Sequence, residues 1–189
     1  MHILLINLPE ATARLKFQQQ QMQQLGLSFD TLHAVSTHQV HEQAHQQMAF
    51  GWERPLRKTE IACYLSHRKA WQRVAELNQP ALILEDDALL SRHAADLLQA
   101  LEKRQDCDLV TLEVRGRKKV VAKNSRPLIG EYNLVALYQD RTGAAGYILW
   151  PSGATILLEK ANSHPPALAD AFISSTYTLR ASQVEPAAI

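Results

Sequence analysis

Three adjacent carboxylates, Glu85-Asp86-Asp87, follow directly on the apolar run Ala81-Leu82-Ile83-Leu84. Like charges in neighbouring positions repel, so such a cluster needs a reason. Carboxylate oxygens suit a hard divalent cation such as Mg²⁺ or Mn²⁺, and such a cation in turn holds phosphates. The apolar run, bounded upstream by Asn78 and Pro80, reads as a buried strand. Ligands of open α/β sheets sit outside the carboxyl ends of the strands, where these acids fall. The plainer alternative is a strand end that turns polar at the surface.

Other residues able to do chemistry are scattered. His67 falls mid-helix, a place where a histidine is more often packed than catalytic. His38, His41 and His45 share the spacing of one helical face in a Gln-rich stretch with no carboxylate partner built in. That stretch reads as a solvated connection, with a histidine metal site as the alternative. Asp170 is a single acid on a short helix expected over Ala167–Phe172. Arg115-Gly116-Arg117-Lys118-Lys119 is the one basic concentration, read as a solvated loop or hairpin, with an anionic partner as the alternative.

The totals set limits. The chain has 189 residues, 46% of them apolar, enough for one domain with a real core. A net charge of +1 gives no general argument for nucleic acid. Two cysteines, Cys63 and Cys107, stand at no metal-ligand spacing; a reduced, cytosolic setting fits them, with one disulfide as the alternative. The N-terminus lacks the basic start of a signal peptide, and no run is long enough for a transmembrane helix.

The elements that must position these residues follow from pattern. Ile3 to Ile6 reads as a strand, Glu10 to Leu25 as a helix stopped by Gly26, and Phe29 to Val35 as a second strand, together a parallel β-α-β unit. Thr59 is the expected cap of a helix from Glu60 to Leu77, and Ser91 of one ending near Lys103. Strands are expected over Leu109 to Val114, Leu134 to Tyr138 and Tyr147 to Trp150. Pro151 opens a helix to about Lys160. Gly143-Ala144-Ala145-Gly146 is permissive and admits close backbone approach. No repeat or linker divides the chain.

Several stretches together resemble one family, in order, over about residues 3 to 186. Ile6-Asn7-Leu8 with Arg14 is similar to its opening motif, and Glu60 to His67 with Trp71 to its central helix. Ala81 to Asp87 resembles its acidic signature, Gly143 to Tyr147 with Gly153-Ala154 its glycine motif, and Ala169-Asp170 its final acidic position. The family is glycosyltransferase family 25, lipopolysaccharide and lipooligosaccharide transferases with relatives that galactosylate collagen.

That resemblance implies an α/β fold of GT-A type, with a mostly parallel sheet flanked by helices. It implies transfer of a hexose, galactose foremost, from a UDP-sugar to a saccharide hydroxyl with inversion, assisted by Mn²⁺ or Mg²⁺. The implied acceptor is a lipid-anchored oligosaccharide in a bacterial cell, met in the cytoplasm or peripherally at the inner membrane. Asp87 is assigned to metal and diphosphate, and Asp86 and His67 to the donor. Asn7, Leu8 and Arg14 are expected near the uridine. Glu85 is assigned to the ribose or a metal-bound water, and Asp170 to the base that takes the acceptor proton. Family members usually continue beyond Glu185-Pro186, so this chain is either naturally short or lacks a segment. An inactive, glycan-binding relative is therefore a second reading. A nucleotide phosphohydrolase is a third, disfavoured by the absence of Walker, Gly-x-Gly-x-x-Gly and His-Glu-x-x-His sequences.

Overall fold

The computed structural model describes every residue except Arg115, Arg117, Arg141 and Thr142. Strand His2–Asn7 (β1) leads through helix Thr12–Gln24 (α1) to strand Asp30–His33 (β2), which pairs parallel to β1 as expected. The Gln-rich stretch is not irregular. It holds a single 3₁₀ turn at Thr37–Gln39 and a short helix, Glu42–Met48 (α2).

The long helix Lys58–Leu77 (α3) starts earlier than a Thr59 cap would put it. The Glu60 carboxylate accepts the Arg57 backbone N–H at 2.8 Å, a job the shorter Thr59 side chain does not do. The bidentate Arg54 guanidinium holds Glu60 down to about 2, so it stays an anion at the positive end of the helix. Ile61, Tyr64, Trp71 and Val74 form the buried face of α3. Asn78 ends it in the left-handed conformation that asparagine tolerates.

Strand Ala81–Glu85 (β3) pairs parallel to β1 and delivers the acids at the same sheet edge as Asn7. Helix Ala94–Glu102 (α4) begins after a turn and not at Ser91, whose hydroxyl accepts the His93 N–H at 3.2 Å and shapes that turn. Then come strands Leu109–Thr111 (β4), Val120–Ile129 (β5), Tyr132–Gln139 (β6) and Gly146–Leu149 (β7). Helices Pro151–Ser163 (α5) and Ala169–Ser174 (α6) and strand Ala181–Glu185 (β8) complete the chain.

The strands form one sheet in the order β2-β1-β3-β7-β4-β8-β6-β5. Pairing is parallel among β2, β1 and β3 and again between β4 and β8; β7 and the β5–β6 hairpin run antiparallel. The α/β class and the single sheet flanked by helices agree with the GT-A expectation. Strand alternation sorts the core into two layers. Ile3, Leu5, Leu82 and Leu84 pack with α1 and α4 on one face. Leu4, Ile6, Ile83 and Tyr147 pack with α3, α5 and α6 on the other. Each such fully buried aliphatic side chain contributes about 1.5–3 kcal/mol. Among the described residues no helix is long and apolar enough to cross a membrane.

Gly153, in the first turn of α5, lies against β4. A Cβ there would fall 2.3 Å from the Asp108 carbonyl oxygen, a rigid backbone atom. Gly153→Ala is expected to destabilise the chain by about 1–3 kcal/mol, as overpacking does. That is a drop of roughly 2–4 °C in Tm per kcal/mol for a chain of this size. An unchanged thermal melt would mean that α5 slides freely on the sheet.

Candidate active site

The site is built where β1 and β3 end. Asp86 is buried, and both its carboxylate oxygens are taken: Asn7 Nδ2 donates at 2.8 Å and Arg14 Nη1 at 2.9 Å. Beneath the acidic loop, buried Gln18 donates to the Asp86 and Ala88 carbonyls at 3.2 and 2.7 Å. Gln21 accepts the Leu90 N–H at 2.8 Å. The glutamine run of α1 is thus what fixes the turn carrying the acids. Pattern alone marks this segment only as a helix stopped by Gly26. Buried backbone polar groups need partners, and these amides supply them.

Asp87 is exposed. Among the described residues, no side chain donates a hydrogen bond to its carboxylate. It is therefore the acid of the three best able to meet a cation without breaking an existing contact. Its oxygens fit Mg²⁺ or Mn²⁺.

Glu85 is half-buried and held by a chain of hydrogen bonds from the core. Trp71 Nε1–H donates to the Tyr147 hydroxyl at 2.8 Å. Tyr147 lies 3.0 Å from His67 Nδ1, and His67 Nε2 lies 3.1 Å from Glu85 Oε1. An indole N–H can only donate, and burial pushes the Tyr147 phenol far above its ordinary range, so it keeps its proton. The arrangement that satisfies every atom is therefore Trp71 to Tyr147, Tyr147 to His67 Nδ1, and His67 Nε2–H to Glu85. His67, buried mid-helix, orients a carboxylate.

Cys63, one helical turn before His67, places its Sγ 3.9 Å from Glu85 Oε1. The Cys63, His67 and Glu85 ligand atoms lie within 4.8 Å of one another, a softer donor set than Asp87 offers. Cys63 is exposed and lines the pocket. Desolvation by the protein around its thiol, followed by the charges of Glu85, Asp170 and Asp87, pushes it up to about 12. It is a neutral thiol at pH 7. Cys63 is accordingly expected to alkylate with iodoacetamide at pH 8 far more slowly than an ordinary free cysteine, since thiolate is the nucleophile. Labelling followed by mass spectrometry checks this, and a rate like that of free cysteine would contradict it.

Asp170 opens α6. Its Oδ2 accepts the Gly143 N–H at 3.3 Å, and buried Glu113 accepts the Ala145 N–H at 2.9 Å, so the glycine motif is held between two carboxylates. Gly143 has φ +108, and a Cβ there would strike Glu113 at 2.5 Å; only glycine fits. Glu113 carried no signal in the sequence beyond its place at a strand end.

A cavity of about 320 Å³ gathers Leu8, Arg14, His67, Glu85, Asp86 and Asp87 with Cys63 in its wall. Asn7 does not line it, being buried beneath Asp86. Asp170 stands near enough to act on the Cys63 thiol but outside that lining. The histidines of the Gln-rich stretch do not converge: His38 sits in the 3₁₀ turn, His41 precedes α2, and His45 Nε2 bonds the Leu56 carbonyl at 2.9 Å. Both cysteines are free. Of the basic run, Arg115 and Arg117 lie outside the described residues. Lys118 is exposed, but Lys119 is half-buried and engaged: it pairs with Asp140 at 2.7 Å and donates to the Gln183 side chain and the Glu113 carbonyl.

Comparison with known proteins gives the family. Residues 1–173 match the profile of Glycosyltransferase family 25 (LPS biosynthesis protein). A glycosyltransferase 25 family member of Anopheles gambiae is 30% identical over 174 residues, covering 85% of this chain and 28% of that protein. Procollagen galactosyltransferase 1-B of Xenopus laevis is 29% identical over 175 residues, covering 84% of this chain and 27% of its own length. A lacto-N-neotetraose biosynthesis glycosyltransferase of Neisseria gonorrhoeae is 27% identical over 150 residues, 75% of this chain and 54% of that protein. The chain thus spans less than a third of the length of the insect and frog proteins. With the profile matched across nearly all its elements, the chain belongs to glycosyltransferase family 25.

Proposed function

We propose that the chain transfers a hexose, galactose first, from a UDP-sugar to a saccharide hydroxyl with help from Mn²⁺ or Mg²⁺. The observation that carries this reading is the convergence on one cavity of an exposed Asp87, without a side-chain donor among the described residues, the fixed Asp86–Arg14 pair and the oriented Glu85. Two relatives named for galactose transfer and for oligosaccharide synthesis support galactose and a saccharide acceptor.

In this reading Asp87 would hold the cation, which supplies positive charge to the departing diphosphate. Arg14 adds a fixed positive charge at the same rim. Leu8 offers an apolar wall for the uracil, and Asn7 acts from below by fixing Asp86. His67 keeps Glu85 oriented toward the ribose or a cation-bound water. Asp170 takes the proton of the attacking hydroxyl. A lipid-anchored oligosaccharide is the proposed acceptor, which would bring the chain to the cytoplasmic face of the inner membrane as a peripheral protein. The test is incubation with UDP-galactose and Mn²⁺: metal-dependent release of UDP supports the reading, and release of inorganic phosphate would favour a phosphohydrolase instead.

A further inference from the structure

The chain has five tyrosines. Tyr64, Tyr132 and Tyr147 are buried, whereas Tyr138 and Tyr177 are 63% and 71% exposed. The two exposed rings come from distant elements, the end of β6 and the connection after α6, yet both line one cavity of about 170 Å³. This cavity is separate from the one holding the acids. We infer that it is the acceptor subsite, with Tyr138 and Tyr177 stacking on the C–H faces of a neutral pyranose ring; the inference rests on the transferase reading above.

Three observations carry it. The first is the chemistry of the wall. A pyranose is apolar on its faces and polar around its edge. Two exposed aromatic rings match the faces, since an aromatic side chain offers large apolar area at little conformational cost. Gln139 and Ser174, in the same wall, match the edge. Among the described residues neither side chain forms an internal hydrogen bond, so both are open to a ligand's hydroxyls.

The second is charge. Among the described residues the one carboxylate in the wall is Asp140, matched at 2.7 Å by Lys119. No lysine or arginine lines the cavity among the described residues. Among the described residues such a wall offers a phosphate or an acidic sugar no unmatched cation, and a neutral sugar fits it better.

The third is position. Gly143 and Tyr147 belong to this cavity's wall. The Gly143 N–H is bonded to Asp170, and the Tyr147 hydroxyl is bonded to His67, which lines the donor cavity. Two residues of this wall are therefore each one hydrogen bond away from a group proposed for the reaction, Asp170 and His67. In an inverting displacement the acceptor oxygen forms its bond to the anomeric carbon as the bond to the diphosphate oxygen breaks. The acceptor proton passes to Asp170, and the bond electrons leave with UDP.

The test uses the full chain and the double variant Tyr138→Ala/Tyr177→Ala, with Tyr138→Phe/Tyr177→Phe as its conservative partner. Saturation-transfer NMR with methyl β-galactoside and lactose as probes reads binding, and initial rates with lactose and UDP-galactose read KM and kcat. The alanine pair is expected to lose saturation transfer and to raise the lactose KM about tenfold or more, while the phenylalanine pair stays near wild type. UDP affinity by calorimetry serves as the control for folding. An alanine pair that leaves lactose binding and KM unchanged would overturn the subsite, as would a wild-type chain that transfers saturation to neither probe. Failure of the wild-type chain to bind UDP at all would instead strike the transferase reading itself.

Discussion

Asp87→Asn is expected to lower sugar transfer by roughly 100- to 1000-fold, the loss typical when one group that stabilises developing charge is removed. It should do so with almost no change in Tm. Asp87 is exposed and, among the described residues, accepts no side-chain hydrogen bond, and substitutions at such surface positions usually cost within ~0.5 kcal/mol. Asp86→Asn makes the contrast. Asp86 is buried between Asn7 and Arg14, both of them donors. An amide in its place turns its own N–H₂ on one of those donors and leaves it unsatisfied, at about 1–3 kcal/mol. Asp86→Asn should therefore lower Tm by several degrees and reduce activity less than Asp87→Asn does. Paired thermal melts and kcat values decide it. Equal activity losses, or a larger loss for Asp86→Asn with unchanged Tm, would move the cation to Asp86.

Asp170→Asn carries the second large effect. Loss of a general base costs about 10²–10⁴ in rate, and the variant should keep its affinity for UDP because Asp170 lies outside the donor cavity. Asp170 accepts the Gly143 N–H at 3.3 Å and the Ala171 N–H at 2.8 Å, so the retained amide oxygen keeps one of these two contacts and a modest drop in Tm accompanies the loss of rate. A kcat unchanged in Asp170→Asn would reduce Asp170 to a residue that holds the glycine turn.

What the sequence made legible follows from how local each feature is. The strands β1 and β3 stood out because both faces are covered, which requires unbroken apolar runs. The acids were legible because three carboxylates are adjacent in the chain. Strand β5 was not expected. It is an edge strand, mostly exposed, whose Lys123, Asn124, Ser125 and Arg126 read as loop. Its backbone is fixed by pairing with β6 through several irregularities of register, a partner no local pattern names. Strand β8 was missed for the opposite reason. It is interior, but its buried Ser182 and Gln183 are polar, and Gln183 is satisfied by Glu113 and Lys119 far away in sequence.

The same limit applies to the site. Cys63 and Glu85 meet across 22 positions, Asp170 and Gly143 across 27, and His67 and Tyr147 across 80. Each contact exists only because α3 and α6 pack on the face of the sheet that carries the Tyr147 side chain. The helix starts slipped for a smaller reason. A hydroxyl at Thr59 or Ser91 offers a cap, but the Glu60 carboxylate reaches the Arg57 N–H, and Ser91 is spent on its own turn.

The most direct measurement is titration calorimetry of the chain with UDP, with and without Mn²⁺, for wild type and Asp87→Ala. The account predicts binding that requires Mn²⁺ and disappears in Asp87→Ala. UDP binding that is indifferent to the metal, or that survives in Asp87→Ala, would contradict the assignment of the acidic strand end to a cation-held diphosphate.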